Sequence, residues 1–63
     1  MKVSLERFDV ILDPSELWTV WDKLTNQPAE LGVNVLIGLT EVEANTACRI
    51  LNDLDRKRRE TAA

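Results

Sequence analysis

The chain has 63 residues, 44% hydrophobic and 30% charged, with a net charge of −3 and neither histidine nor tyrosine. Cys48 is its only cysteine, so an internal disulfide, a histidine proton shuttle and a cysteine–histidine metal cluster are all excluded. No cofactor is expected, and the chain is predicted to be a binding protein rather than an enzyme. A core of this size buries only about 60% of the unfolded surface and rarely supplies more than about 3–5 kcal/mol unaided. Self-association as a homodimer, or docking on a larger partner, is therefore expected to add stability.

Taken in chain order, residues 2–12 read as a strand. Phe8, Val10 and Leu12 alternate with Arg7, Asp9 and Ile11, while Val3 and Leu5 occupy the opposite parity, so either a bulge near Glu6-Arg7 resets the register or both faces are partly buried. Asp13-Pro14-Ser15-Glu16 carries a helix-start signature: a capping aspartate, proline at the first helical position and glutamate at the third. Leu17, Val20, Trp21 and Leu24 then follow a helical period, and Gln27 before Pro28 ends that helix.

Pro28-Ala29-Glu30-Leu31 repeats the start pattern. The stretch 32–39 is predicted as a short buried helix capped by Gly38, with a second strand as the alternative, because Val33, Val35 and Ile37 alternate. Thr40-Glu41-Val42-Glu43 has the spacing of a capping box. Ala44, Ala47, Cys48, Leu51 and Leu54 form an apolar stripe behind it, flanked by Ile50. The predicted fold is thus α+β and mostly helical, β-α-α-α, with one domain over 1–60 and a frayed tail over 61–63.

Candidate chemistry is sparse. Glu41/Glu43 and Asp53/Asp55 are each two apart, a spacing that points helical side chains in divergent directions, so neither pair is set to share a proton or a metal. Cys48 lies mid-helix on the apolar stripe, where a thiol acts as a small hydrophobe. Trp18 and Trp21 carry the most binding potential, since indoles combine large area with low entropy cost. Trp21 is expected to be the more central, and Trp18 the more exposed and in contact with a partner.

All the acids but Glu60 are spread through residues 1–55, where only Lys2, Arg7, Lys23 and Arg49 oppose them; the other bases gather in Arg56-Lys57-Arg58-Arg59. That run suits the negative end of a helix dipole. Arg56, Arg58 and Arg59 are nevertheless candidate partner contacts.

The order strand–helix–helix over residues 2–39, with Leu12-Asp13-Pro14 at the junction, resembles that of the ribbon-helix-helix repressors. The resemblance implies a DNA-binding dimer whose strand lies in the major groove. The strand would offer Lys2, Ser4 and Glu6 on one face, or Val3, Leu5 and Arg7 on the other. A further C-terminal helix, and the acids Glu6 and Asp9 beside the phosphates, depart from that pattern. The leading expectation is a small acidic protein-binding module (an inhibitor, adaptor or assembly factor) docking through its Trp-bearing helix, with nucleic acid as the disfavoured alternative. The longest apolar run, Val35-Leu36-Ile37-Gly38-Leu39, is too short to span a membrane. With a single thiol and no signal-peptide pattern, a cytoplasmic location is expected.

Overall fold

A computed structural model describes residues 5–61. Among these, the element order is β1 (Phe8–Leu12), β2 (Trp18–Asp22), β3 (Gln27–Pro28), β4 (Glu30–Leu31), β5 (Asn34–Val35) and α1 (Glu41–Thr61). The predicted β-α-α-α fold is therefore wrong over residues 13–39, which hold four strands and no helix. β1, β2 and β3 form an antiparallel sheet in that order, and β4 and β5 form a separate two-stranded ribbon. The predicted first strand is present over Phe8–Leu12; residues 5–7, expected in it, bend without pairing as strand, and residues 2–4 lie outside the described residues.

The first error has a definite cause. Asp13-Pro14-Ser15-Glu16 makes a tight hairpin turn instead of a helix start. The Glu16 N–H donates to the Asp13 carbonyl at 3.0 Å, and the Asp13 N–H to the Leu17 carbonyl at 2.8 Å. Glu16 takes a left-handed φ of 68°, as expected of the last residue in a three-residue loop built on a type I turn. Asp13 Oδ1 accepts from the backbone N–H of Ser15 at 2.8 Å and of Leu17 at 3.3 Å, and from the Ser15 hydroxyl. The central residues of a type I turn have nearly helical dihedrals, so the same residues suit either structure.

β2 follows at once, with Leu12 opposite Trp18, Val10 opposite Val20 and Phe8 opposite Asp22. Asn26, at a φ of 58°, closes the next turn, and Gln27 and Pro28 return beside Asp22 and Trp21. Gln27 and Pro28 thus form a strand where a helix end was expected. The ribbon β4–β5 turns through Gly32-Val33, where Gly32 has a φ of 65°. A two-residue hairpin loop needs left-handed backbone at that place, which glycine adopts without steric cost. Gly38 also has a φ of 65°, but it turns the chain into a bridge between Leu39 and Trp18 rather than capping a helix.

α1 matches its prediction most closely. Thr40 and Glu43 form a reciprocal capping box: Glu43 Oε1 accepts from the Thr40 N–H at 2.9 Å, and Thr40 Oγ1 accepts from the Glu43 N–H at 3.2 Å. Thr61, expected to fray, is still helical, and its hydroxyl donates to the carbonyls of Lys57 and Arg58; Ala62 and Ala63 lie outside the described residues. The buried face is Ala44, Cys48, Leu51, Asn52 and Asp55. Leu54, predicted on the apolar stripe, is instead 49% exposed.

α1 covers one face of the sheet. The core consists of Phe8, Val20, Ala29, Leu36, Ala44, Cys48 and Leu51, with Val10, Trp18, Leu39 and Ala47 packed around it. Val20, at 0% exposure, is its centre.

Candidate functional site

Strand alternation sorts the side chains of β1 and β2 onto two faces. Phe8, Val10, Leu12, Trp18, Val20 and Asp22 share the inner face beneath α1. Asp9, Ile11, Thr19 and Trp21 share the outer face, where Pro28 lies opposite Trp21. The two tryptophans, three residues apart, thus stand on opposite sides of the sheet. Trp18 packs against the core and Trp21 lies half-buried on the outer face. This reverses the expected order, in which Trp21 was the more central.

The outer face has unusual chemistry for an open sheet surface. An antiparallel sheet with one solvated face normally presents polar residues there. Here it presents Ile11, 44% exposed, with Trp21 and Pro28, and Thr19 buried among them. Asp9 marks its rim, with Lys23 Nζ 4.0 Å from Asp9 Oδ2. Further apolar side chains stand in water nearby in sequence, including Leu31, Val35 and Ile37, and Val33 at the ribbon tip is 97% exposed.

The inner face is held by polar groups as well as by the core. Arg7 Nε and one terminal nitrogen pair with both carboxylate oxygens of Asp22 at 2.9 and 2.8 Å; its other terminal nitrogen donates to Asp55 Oδ1 at 3.1 Å. Arg59 Nε meets Asp55 Oδ2 at 3.2 Å. The Arg7 guanidinium also sits 4.9 Å from the Phe8 ring centroid, a cation–π distance. This chain of charges ties β1 and β2 to α1. The guanidinium holds the Asp22 carboxyl down at about 2, and the two carboxylates keep Arg7 protonated well above its ordinary range. Bidentate and hydrogen-bonded, the cluster is a structural clamp.

Asn52 completes the clamp at the sheet edge. Its Oδ1 accepts from the Phe8 N–H at 2.8 Å, and its Nδ2 donates to the Phe8 carbonyl at 3.1 Å. One side-chain amide thus takes the place of a neighbouring strand. Nothing in the hydrophobic periodicity marked this residue.

The predicted basic contacts are dispersed. Arg56 meets Glu6 at 3.6 Å and also pairs with Asp53, Arg59 is engaged by Asp55, and Arg58 lines a cleft of about 290 Å³ with Gln27, Pro28, Glu30 and Leu51. Of the carboxylates, Glu43 caps α1, Asp53 pairs with Arg56 and Asp55 with the two arginines, while Glu41 lies in the first turn of α1. Cys48 is buried, and burial pushes its thiol up. Asn52 Nδ2 lies 3.5 Å from the sulfur.

No protein-family model matches this chain, and no curated protein or solved structure shows significant similarity to it. The strand–helix–helix order behind the resemblance to ribbon-helix-helix repressors is absent, since residues 13–39 form strands and turns. No described helix is long and apolar enough to cross a membrane.

Proposed function

We propose that this chain is a non-catalytic protein-binding module that docks on a larger protein through the outer face of its sheet, with Trp21 as the anchor. The observation that carries this reading is the helix on one side of the sheet and the exposed apolar side chains on the other. Leaving Ile11 exposed, diagonally across from a half-buried indole, forgoes burial worth about 25 cal/mol per Å², and exposed apolar side chains grouped on one sheet face suit a protein contact surface. Supporting it, Asp22, Glu43, Asp53 and Asp55 are engaged in a helix cap and ion pairs, and the one thiol is buried with its ionisation disfavoured. A reducing, cytoplasmic setting suits that buried, unpaired thiol.

The reading is tested by placing a photo-cross-linking residue at Ile11, at Trp21 or at exposed Arg49 in the native host. A discrete adduct of one mass at Ile11 and Trp21, absent at Arg49, is expected. Adducts only at Arg49, or none at the sheet positions, would refute it. Binding through this face should weaken little when salt is raised, because exposed-charge attraction contributes little to it.

A further inference from the structure

Among the described residues, β1 is an edge strand, with β2 on one side and no strand on the other. In the β1–β2 pair the backbone groups of Arg7, Asp9, Ile11 and Asp13 face β2: the Lys23 N–H reaches the Arg7 carbonyl at 3.0 Å, and the Asp13 N–H reaches the Leu17 carbonyl. Alternation therefore turns the N–H and C=O groups of Phe8, Val10 and Leu12 outward. Asn52 occupies both groups of Phe8. Beyond Leu12, Pro14 carries no N–H and the chain turns back toward β2. The open edge is reduced to Val10 and Leu12, and the side chain of Leu12 is 56% exposed.

We infer that this edge pairs with the same edge of a second copy of the chain, antiparallel, about a two-fold axis at Ile11. That register pairs Val10 with Leu12 of the other copy in a closed ring of two backbone bonds, and symmetry repeats the ring on the far side of the axis. Ile11 faces its own mate on the outer surface at the close, non-hydrogen-bonded spacing, while Leu12 and Val10 meet on the inner surface. A register shifted toward the N-terminus needs the groups of Phe8 that Asn52 already holds, so the edge admits this one. Edge strands left open are templates for such pairing, and closed two-fold contacts are the commonest way a chain pairs with itself.

The same register sets Asp9 against Asp13 of the mate on both sides of the axis. Like charges directly opposite oppose pairing, and the Asp9 carboxylate, now 3.1 Å from the Val10 N–H, must release that group. The dimer is consequently weak, and it tightens as salt screens the facing acids.

Sedimentation equilibrium of the purified full chain, with no other protein present, tests this independently of the Trp21 face. A reversible monomer–dimer equilibrium is expected, with the dissociation constant falling severalfold between 0.05 and 0.5 M salt, on the order of what screening of facing charges gives. Leu12→Pro removes one outward N–H, and Ile11→Lys places like charges on the axis. Each should leave a folded monomer by circular dichroism and raise the dissociation constant at least about tenfold. Amide exchange offers a readout that needs no variant: the Val10 and Leu12 amides should become slower to exchange as concentration rises. A monomer at millimolar concentration, a dimer that both variants retain, or one that salt weakens would each overturn the proposal.

Discussion

Asn52→Leu is the substitution whose outcome most sharply separates this fold from the helical one read in the sequence. Leucine keeps most of the volume and raises helix propensity, so on hydrophobic grounds alone it should be neutral or stabilising. In this structure it strands the N–H and C=O of Phe8, which are buried beneath α1 with Asn52 as their partner. Each orphaned buried backbone group costs about 1–3 kcal/mol, so a loss of about 2–6 kcal/mol is expected for the pair. That is comparable to the whole stability of a domain this size, about 3–5 kcal/mol. Urea unfolding followed by tryptophan fluorescence, in a sulfate buffer that keeps the variant folded at zero denaturant, gives the difference directly. Amide exchange at Phe8 should quicken in parallel. Asn52→Asp, which keeps the acceptor but loses the donor, should fall between leucine and the native residue. A leucine variant within about 1 kcal/mol of the native protein would refute the edge-capping role of Asn52.

Three further outcomes follow from the packing and the clamp. Leu51→Ala should cost about 2–4 kcal/mol by opening a cavity against Phe8 and Val20; a loss under about 1 kcal/mol in a denaturant melt would mean that α1 is not seated as described. The folded-state pKa of Asp22, about 2, lies below its ordinary 3.8. Its pairing with Arg7 therefore stabilises the fold fully above pH 4 and is lost as pH falls from there toward 2, by about 2 kcal/mol at most. Urea midpoints measured across that range should decline less steeply in Asp22→Asn. Gly32→Ala should cost about 1 kcal/mol through its left-handed backbone alone, since the added methyl would meet open space. A D-alanine placed there by chemical synthesis should cost nothing, and equal losses from both isomers would point to a steric cause instead.

The helix α1 and its capping box were legible in the sequence because both depend on local chemistry: Thr40 and Glu43 satisfy each other without reference to the rest of the chain. Strand β1 was legible from its alternation. The error at 13–26 arose where two structures share one signal. Asp13-Pro14-Ser15-Glu16 satisfies the first turn of a helix and a type I turn alike. Leu17, Val20, Trp21 and Leu24 matched a helical period because β2 carries large apolar side chains on both of its faces, Trp18 and Val20 inside and Trp21 outside, which erases its alternation. The overlooked signal was composition, since Trp18-Thr19-Val20-Trp21 are all strand-favouring residues. With β2 read as a strand, parity alone would have placed the tryptophans on opposite faces. Asn52 and the Arg7–Asp22–Asp55 cluster were not legible, because they join residues far apart in the chain and only the packed fold brings them together.

The central claim, that the outer sheet face is the working surface, is tested most directly by comparing Trp21→Ser with Trp18→Ser. Stability and affinity are measured side by side, using the protein that the Trp21 cross-link traps. Trp21→Ser should weaken that affinity at least about 30-fold, the effect of losing a hot spot of about 2 kcal/mol, while Trp18→Ser should chiefly lower stability. Affinity unchanged by Trp21→Ser in a folded protein would contradict the account.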